Sequence, residues 1–356
     1  MSLNWKIRPY QAGDETQILK LRRIVFGDLD PVRLKKSTWQ WQFRDNPAGP
    51  AFCFIAEAEG AIVGQYAAIS TRFLIEEKEA LLAFSCDTMI HPDYRRQGVF
   101  LALANALYDI MTKHHGITTV WGFPNNQSLP GFRQRLGWRM RPNMPLLVMP
   151  IRPLSMVCRA LPLLKRPGKK HQITRASGVN FKFSIKLTGL QIDPIHKFDE
   201  TFDDLWQTHC ARAPVMQIRD SRYLQWRYLA VSEFDYRPFA IRYNGRLTGY
   251  MVLRMMAVKG HLFGALVDLF PFSMAPESLL NEIFCLARQY VKAHGGDFLT
   301  CLCPQLDPRV LKKAGFRKVP EIINPKTWRL GCRCTEAAIG ADLDRWHITF
   351  GDTDVV

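Results

Sequence analysis

The stretch HPDYRRQGVFLALANAL, His91–Leu107, decides how this chain is read. Pro92 marks a stop, two arginines and one glycine follow, and then Phe100, Leu103 and Leu107 recur at helical spacing, continued by Ile110 and Met111. Just before it, Leu81–Ile90 (LLAFSCDTMI) reads as a strand. The segment therefore predicts a strand, a short basic turn and a helix over Val99–Lys113. A helix start of this kind suits an anion, because its first amides lack intrahelical acceptors and its dipole favours negative charge. Gly98 lets the backbone approach a ligand closely, and Arg95 and Arg96 add charge-assisted contacts. One glycine in a basic turn says little alone, so its weight depends on the rest of the chain.

The chain has 356 residues, which fits two domains of roughly 150 residues each. There is no uninterrupted apolar run of about 18 residues, and the N-terminus lacks a signal-peptide pattern. Nine cysteines without a CxxC pair imply reduced thiols and a cytoplasmic location. The pairs Cys301/Cys303 and Cys332/Cys334 fit no zinc spacing, so no metal is expected. Of the net charge of +16, the segment between Ile110 and Ile192 supplies fourteen Lys and Arg with no Asp or Glu. Such a one-sided segment attracts a polyanion: a phosphorylated cofactor, a nucleotide-linked substrate, nucleic acid or an acidic membrane surface. A solvated linker would carry the same charges.

The chain also repeats itself. Gln40-Trp41-Gln42-Phe43 is matched by Gln225-Trp226-Arg227-Tyr228, and Gly60-Ala-Ile-Val-Gly64 by Gly245-Arg-Leu-Thr-Gly249, all at an offset of 185 residues. Each copy reads as helix, strand, tight glycine turn, strand. Each then ends alike, Arg135-Leu-Gly137-Trp138-Arg139 against Lys313-Ala-Gly315-Phe316-Arg317. Three pieces in the same order point to a tandem duplication. The copies differ at the basic turn: Val267–Pro271 matches the first strand's end, but no glycine-containing basic turn follows, and Glu277 stands where an anion would be repelled. Of the aromatic residues Trp39, Trp41 and Phe43, the last two recur in the second copy as Trp226 and Tyr228, which favours core packing over an acceptor-binding role.

With these motifs in place, the chain resembles the GNAT superfamily of acetyl-CoA-dependent N-acetyltransferases. His91-Pro92-Asp93-Tyr94 leading into Arg95-Arg-Gln-Gly98-Val-Phe100 is similar to the family's signature, and Lys6-Ile-Arg-Pro-Tyr10 with Asp14 to its opening strand and helix. The likeness is good over residues 5 to 141 and weak over 195 to 330. The two-copy plan resembles the tandem acetyltransferases of the enhanced-intracellular-survival type. It implies an α/β fold of two GNAT-like domains, each a twisted, mostly antiparallel mixed sheet flanked by helices. The expected boundaries are 1–149 for the domain with the acyl-CoA site, 150–190 for a basic proline-containing connector, 191–330 for a degenerate second domain and 331–356 for a tail. The connector could form an amphipathic helix that docks on a domain or lies on a membrane surface.

By that resemblance, the amides of Gln97, Gly98, Val99 and Phe100 hold the pyrophosphate of acetyl-CoA with Arg95 and Arg96 beside it. The backbone of Thr88, Met89 and Ile90 pairs with the pantetheine arm, and Asn125 and Asn126 match the cofactor-side asparagine. A loop cap explains these asparagines equally well. Two positions depart from the family. Phe100 replaces the signature's last small residue, and its side chain can turn into the core. Phe132 stands where the family commonly carries the tyrosine that protonates the departing thiolate. An acid could instead come from Tyr94, Ser128 or Cys86, or none is needed, because a thiol of pKa about 8.5 leaves readily. Asp87 is the candidate base, with the acidic C-terminal tail as another. The expected activity is transfer of acetyl to a primary amine on a small molecule or peptide, anionic acceptors included. The alternatives are aminoacyl transfer from charged tRNA on the same fold, and a non-catalytic protein that binds CoA or another anion.

Overall fold

The computed structural model of the protein describes residues 4–28, 30–141, 144–152, 181–210, 215–258, 261–271, 276–320, 328–334 and 342–353. In chain order these form β1 (Lys6–Pro9), α1 (Glu15–Phe26), α2 (Lys36–Phe43), β2 (Ala51–Ala58), β3 (Ala61–Ile75), β4 (Lys78–Ile90), α3 (Val99–His115), β5 (Thr119–Gly122) and β6 (Arg139–Met140). There follow β7 (Leu147–Pro150), β8 (Leu190–Pro194), α4 (Glu200–His209), β9 (Val215–Gln217), α5 (Ser221–Tyr228), β10 (Arg237–Tyr243), β11 (Arg246–Val258) and β12 (His261–Phe270). Last come α6 (Glu277–Ala293), β13 (Phe298–Cys301), α7 (Pro308–Ala314), β14 (Arg317–Lys318) and β15 (Gly331–Cys334).

Two compact units result, one of residues 1–143, 214–218 and 327–346, the other of 144–213, 219–326 and 347–356. In the first, the strand order is β1-β2-β3-β4-β5-β15-β6, with β9 added along the far end of β3. In the second it is β8-β10-β11-β12-β13-β7-β14. The two orders are the same plan. In both, every neighbouring pair is antiparallel except one, β4 with β5 and β12 with β13. This is the α/β architecture expected for both copies, and the duplication extends to local detail. The first hairpin turns on Glu59 and Gly60 and its counterpart on Asn244 and Gly245, all four at positive φ, which matches the twist of the flanking strands. Each hairpin also carries a register shift, at Ala56/Glu57 and at Ile241/Arg242.

The domain boundaries shift from those expected. The sixth position of each sheet is filled from the other half of the sequence. β7, placed by sequence in the first domain, pairs with β13 and β14 in the second unit's sheet. β15, placed in the tail, pairs with β5 and β6 in the first. Short strands of this kind carry no periodicity of their own, and what fixes them is the open edge they cover. Residues 153–180, most of the expected connector, lie outside the described residues.

The first unit's core forms where α3 packs across β2, β3 and β4. Val99, Leu103, Leu107 and Met111 are buried on one helical face with Tyr108, against Phe52, Phe54, Tyr66 and Val120. Each such side chain contributes roughly 1.5–3 kcal/mol on burial. Gly64 on β3 seats the helix start: a Cβ there would stand 3.0 Å from Val99 Cγ1 and 3.1 Å from Ile90 Cδ1. Trp39, Trp41 and Phe43 are buried, as are Trp226 and Tyr228, so the recurring aromatics are core residues.

In the second unit, residues 347–353 are held by a buried polar network. Arg219 donates to Asp352 at 2.8 Å and to Asp268 at 3.2 Å. Asp268 also accepts from Tyr228 and Tyr250, both at 2.9 Å, and from Thr349 at 3.1 Å. Arg227 donates to the carbonyls of Gly351 and Thr353. Asp352, the acid of the final acidic stretch 351–356 that falls among the described residues, is therefore a structural anchor inside this unit; residues 354–356 lie outside the described residues. Among the described residues no helix is long and apolar enough to cross a membrane.

Candidate functional site

β4 carries the first element of the site. On one side it pairs with β3 over its whole length, but its parallel pairing with β5 is confined to Ala83↔Val120 and Phe84↔Trp121. From Ser85 to Ile90 that edge has no β5 partner. A bulge opens there: Gln65 faces Met89 and Ala67 faces Cys86, so two residues of β4, Asp87 and Thr88, stand opposite Tyr66 alone. Asp87 has φ +49°, and Gln65 Nε2 donates to its carbonyl at 2.9 Å.

The free edge leads straight into the basic turn. Arg95 Nε donates to the Ile90 carbonyl at 3.2 Å, and Gln97 Nε2 to the Asp93 carbonyl at 2.8 Å, which closes the loop on itself. Arg96 and Gly98 sit at φ +63° and +83°, and Gly98 is the N-cap of α3. Positive φ is what demands glycine here, since a Cβ at Gly98 would meet nothing within 4 Å. This backbone turns successive amides outward at the positive end of the helix.

On the other side, Asn125 Oδ1 accepts from the amides of Gln127 and Ser128, starting a wide helical turn over Gly131–Arg135 that closes from the Leu136 amide to the Gly131 carbonyl. Phe100 spans the two walls. Its ring packs at 5.2 Å from that of Phe132, and a Cβ on Gly131 would stand 2.9 Å from its Cε1.

Between these walls lies a cleft of about 760 Å³. Thr88, Ile90, Tyr94, Arg95, Arg96, Gly98, Val99, Phe100, Asn125 and Ser128, all anticipated from sequence, line it. The pattern did not reveal Arg135, which brings a third cation, or Val25 and Phe26 at the end of α1. Three arginines and no Asp or Glu line the cleft, which favours an anion there.

Four anticipated residues do not line it. The Met89 side chain is buried on the opposite face. Gln97 braces the loop, and Asn126 accepts from Arg329. Asp87 is the substantive correction: its carboxylate is buried against the Arg22 guanidinium at 2.5 Å. Burial works to raise its pKa, but Arg22 and Arg33 outweigh that and hold it below the ordinary carboxylate value. A carboxylate so paired is a poor base near neutral pH. Cys86, one of the alternative acids, is buried and accepts from Gln42 Nε2 at 3.2 Å. Phe132 is buried among Tyr66, Phe100 and Trp138, so it forms part of the wall's packing.

The second unit repeats the scaffold without the charge. Its helix α6 begins at Glu277, whose carboxylate is paired with Lys313 at 2.6 Å. An acid at that helix start opposes an anion.

Residues 6–141 match the family model described as acetyltransferase (GNAT) domain. No curated protein matches the sequence. Among solved structures, a GCN5-related N-acetyltransferase from Anabaena variabilis superposes with a TM-score of 0.62 at 12% identity, over 94% of this chain and 74% of that one. N-myristoyltransferase of Saccharomyces cerevisiae, with myristoyl-CoA bound, gives 0.60 at 11% identity, over 93% and 82%. A probable N-acyltransferase from Enterococcus faecalis gives 0.61 at 11%, over 93% and 73%. At such identities the superpositions speak for the fold, and they extend over both units.

Proposed function

We propose that this chain, whose residues 6–141 are a GNAT domain, is an acyl-CoA-dependent N-acyltransferase that passes acetyl from acetyl-CoA directly to a primary amine. One observation carries the reading: a strand edge without a β5 partner from Ser85 to Ile90 runs into a left-handed Gly98 at a helix start, inside a cleft lined by three arginines and no carboxylate. In this reading the amides of Gln97 to Phe100 hold the pyrophosphate, flanked by Arg95, Arg96 and Arg135. The backbone of Thr88 to Ile90 receives the pantetheine arm as an added strand, with Asn125 on the far wall. The thioester supplies the activated acyl group. The protein fixes its carbonyl beside the incoming amine, and Tyr94 and Ser128 place hydroxyls in the same cleft. With Asp87 held by Arg22, the amine sheds its proton to water.

Calorimetry with acetyl-CoA, followed by amine-dependent release of free thiol across an amine library, tests this. Micromolar-range binding with turnover is expected. Salt-sensitive tRNA binding without CoA binding would shift the assignment to aminoacyl transfer. CoA binding with no thiol release would leave an anion-binding protein.

A further inference from the structure

The three arginines of the cleft do not stand together. Arg95 and Arg96 belong to the turn after β4, whereas Arg135 ends the helical turn that forms the opposite wall. That wall is fixed from behind. The Phe132 amide donates to the Ser128 carbonyl and the Leu136 amide to the Gly131 carbonyl, both at 3.1 Å, and the Phe132 and Leu136 side chains are buried. Arg133 and Arg135 are both exposed on it, and of the two only Arg135 lines the cleft. Among the described residues neither Arg96 nor Arg135 has a hydrogen-bond or ion-pair partner, so both guanidinium groups keep their donors for a ligand.

The order of the walls gives a cofactor its direction. In the acyl-CoA reading the pantetheine arm lies along Thr88 to Ile90 and the pyrophosphate at the Gly98 helix start. The adenosine half of CoA then continues past the helix start, on the side away from β4. There the Phe100 ring packs 5.2 Å from that of Phe132 and against Gly131, so the opposite wall abuts the first turn of α3. Leu101 and Arg135 line the cleft beyond this contact, with Arg135 four residues further along the wall than Gly131. CoA carries a separate phosphate in that half, a monoester on the ribose 3′ oxygen with a charge of about −1.5 to −2 at neutral pH.

We infer that Arg135 binds the ribose 3′-phosphate of CoA and makes the chain select CoA over dephospho-CoA. This rests on the acyl-CoA reading and deepens it. The loop amides, Arg95 and Arg96 serve the pyrophosphate, and Arg135, which flanks it from the opposite wall, takes the next phosphate along the cofactor. A planar guanidinium offers that phosphate two parallel N–H donors, a geometry an ammonium group does not reproduce.

The test compares acetyl-CoA with its 3′-dephospho analogue by calorimetry on the full chain. The wild type should bind acetyl-CoA about ten- to a hundredfold more tightly, the range of one charge-assisted contact. Arg135→Gln should remove that preference by weakening acetyl-CoA alone, and Arg135→Lys should keep part of it. Arg96→Gln should weaken both ligands alike, and Arg133→Gln should change neither. Equal binding of the two ligands by the wild type overturns the assignment. So does equal weakening of both by Arg135→Gln, which would give Arg135 to the pyrophosphate; the acyl-CoA reading survives either result. Failure of the wild type to bind either ligand overturns that reading and this inference together.

Discussion

Replacing Gly98 separates the two things this residue does. Its φ of +83° costs an L-residue about 1–2 kcal/mol, and a new Cβ meets nothing within 4 Å, so no steric cost is added. Gly98→Ala, Gly98→Arg and Gly98→Glu should therefore all lower unfolding stability by a similar ~1–2 kcal/mol. Their effect on CoA should diverge. A carboxylate held about 4–5 Å from a bound phosphate, partly screened, repels it by roughly 1–4 kcal/mol, and a guanidinium attracts it by a similar amount. Calorimetry with acetyl-CoA should rank affinity as Arg at or above Ala, with Glu weaker than Ala by about ten- to a thousandfold. Denaturant unfolding without ligand supplies the backbone cost for each variant. Equal weakening by Arg and Glu would show that backbone distortion alone governs binding. Wild-type affinity in Gly98→Glu would refute the placement of the anion at this turn.

Two further outcomes concern stability. Arg219→Met leaves Asp268 and Asp352 buried without their cation, so it should destabilise the second unit by about 3–5 kcal/mol, whereas an unfolding shift below about 1 kcal/mol would mean the network is dispensable. His347 is buried, and burial together with Arg219 holds its pKa well below the ordinary value. The folded state thus resists protonation that the unfolded chain accepts, so stability should fall as pH drops below about 6.5. His347→Gln should flatten that limb of a thermal-melt profile, and an unchanged slope would rule His347 out as its source.

Much of the site was legible because its signals are local. A strand, a stop at Pro92, paired arginines and a glycine before an apolar period are short-range instructions, and the structure gathers Arg95, Arg96 and Gly98, which they named, into one cleft with seven residues that entered through the family resemblance. Asp87 misled for a long-range reason. A carboxylate at a strand's end reads as available, and only folding brings Arg22 from α1 against it. The asparagines kept both their readings, since Asn125 caps the helical turn and also lines the cleft.

By itself, the sequence determined the duplicated strand plan, the matching glycine turns at Gly60 and Gly245, and the anion-directed start of α3 in one copy only. These follow from backbone conformations and hydrophobic periods that neighbouring residues settle among themselves. The tertiary structure decided what depends on distant partners: β7 and β15 completing sheets far from their own sequence neighbourhoods, Asp352 joining Arg219, and Arg135 joining Arg95 and Arg96 in one cleft. An open strand edge and a buried charge each need a partner, and only the assembled fold determines which residue supplies it.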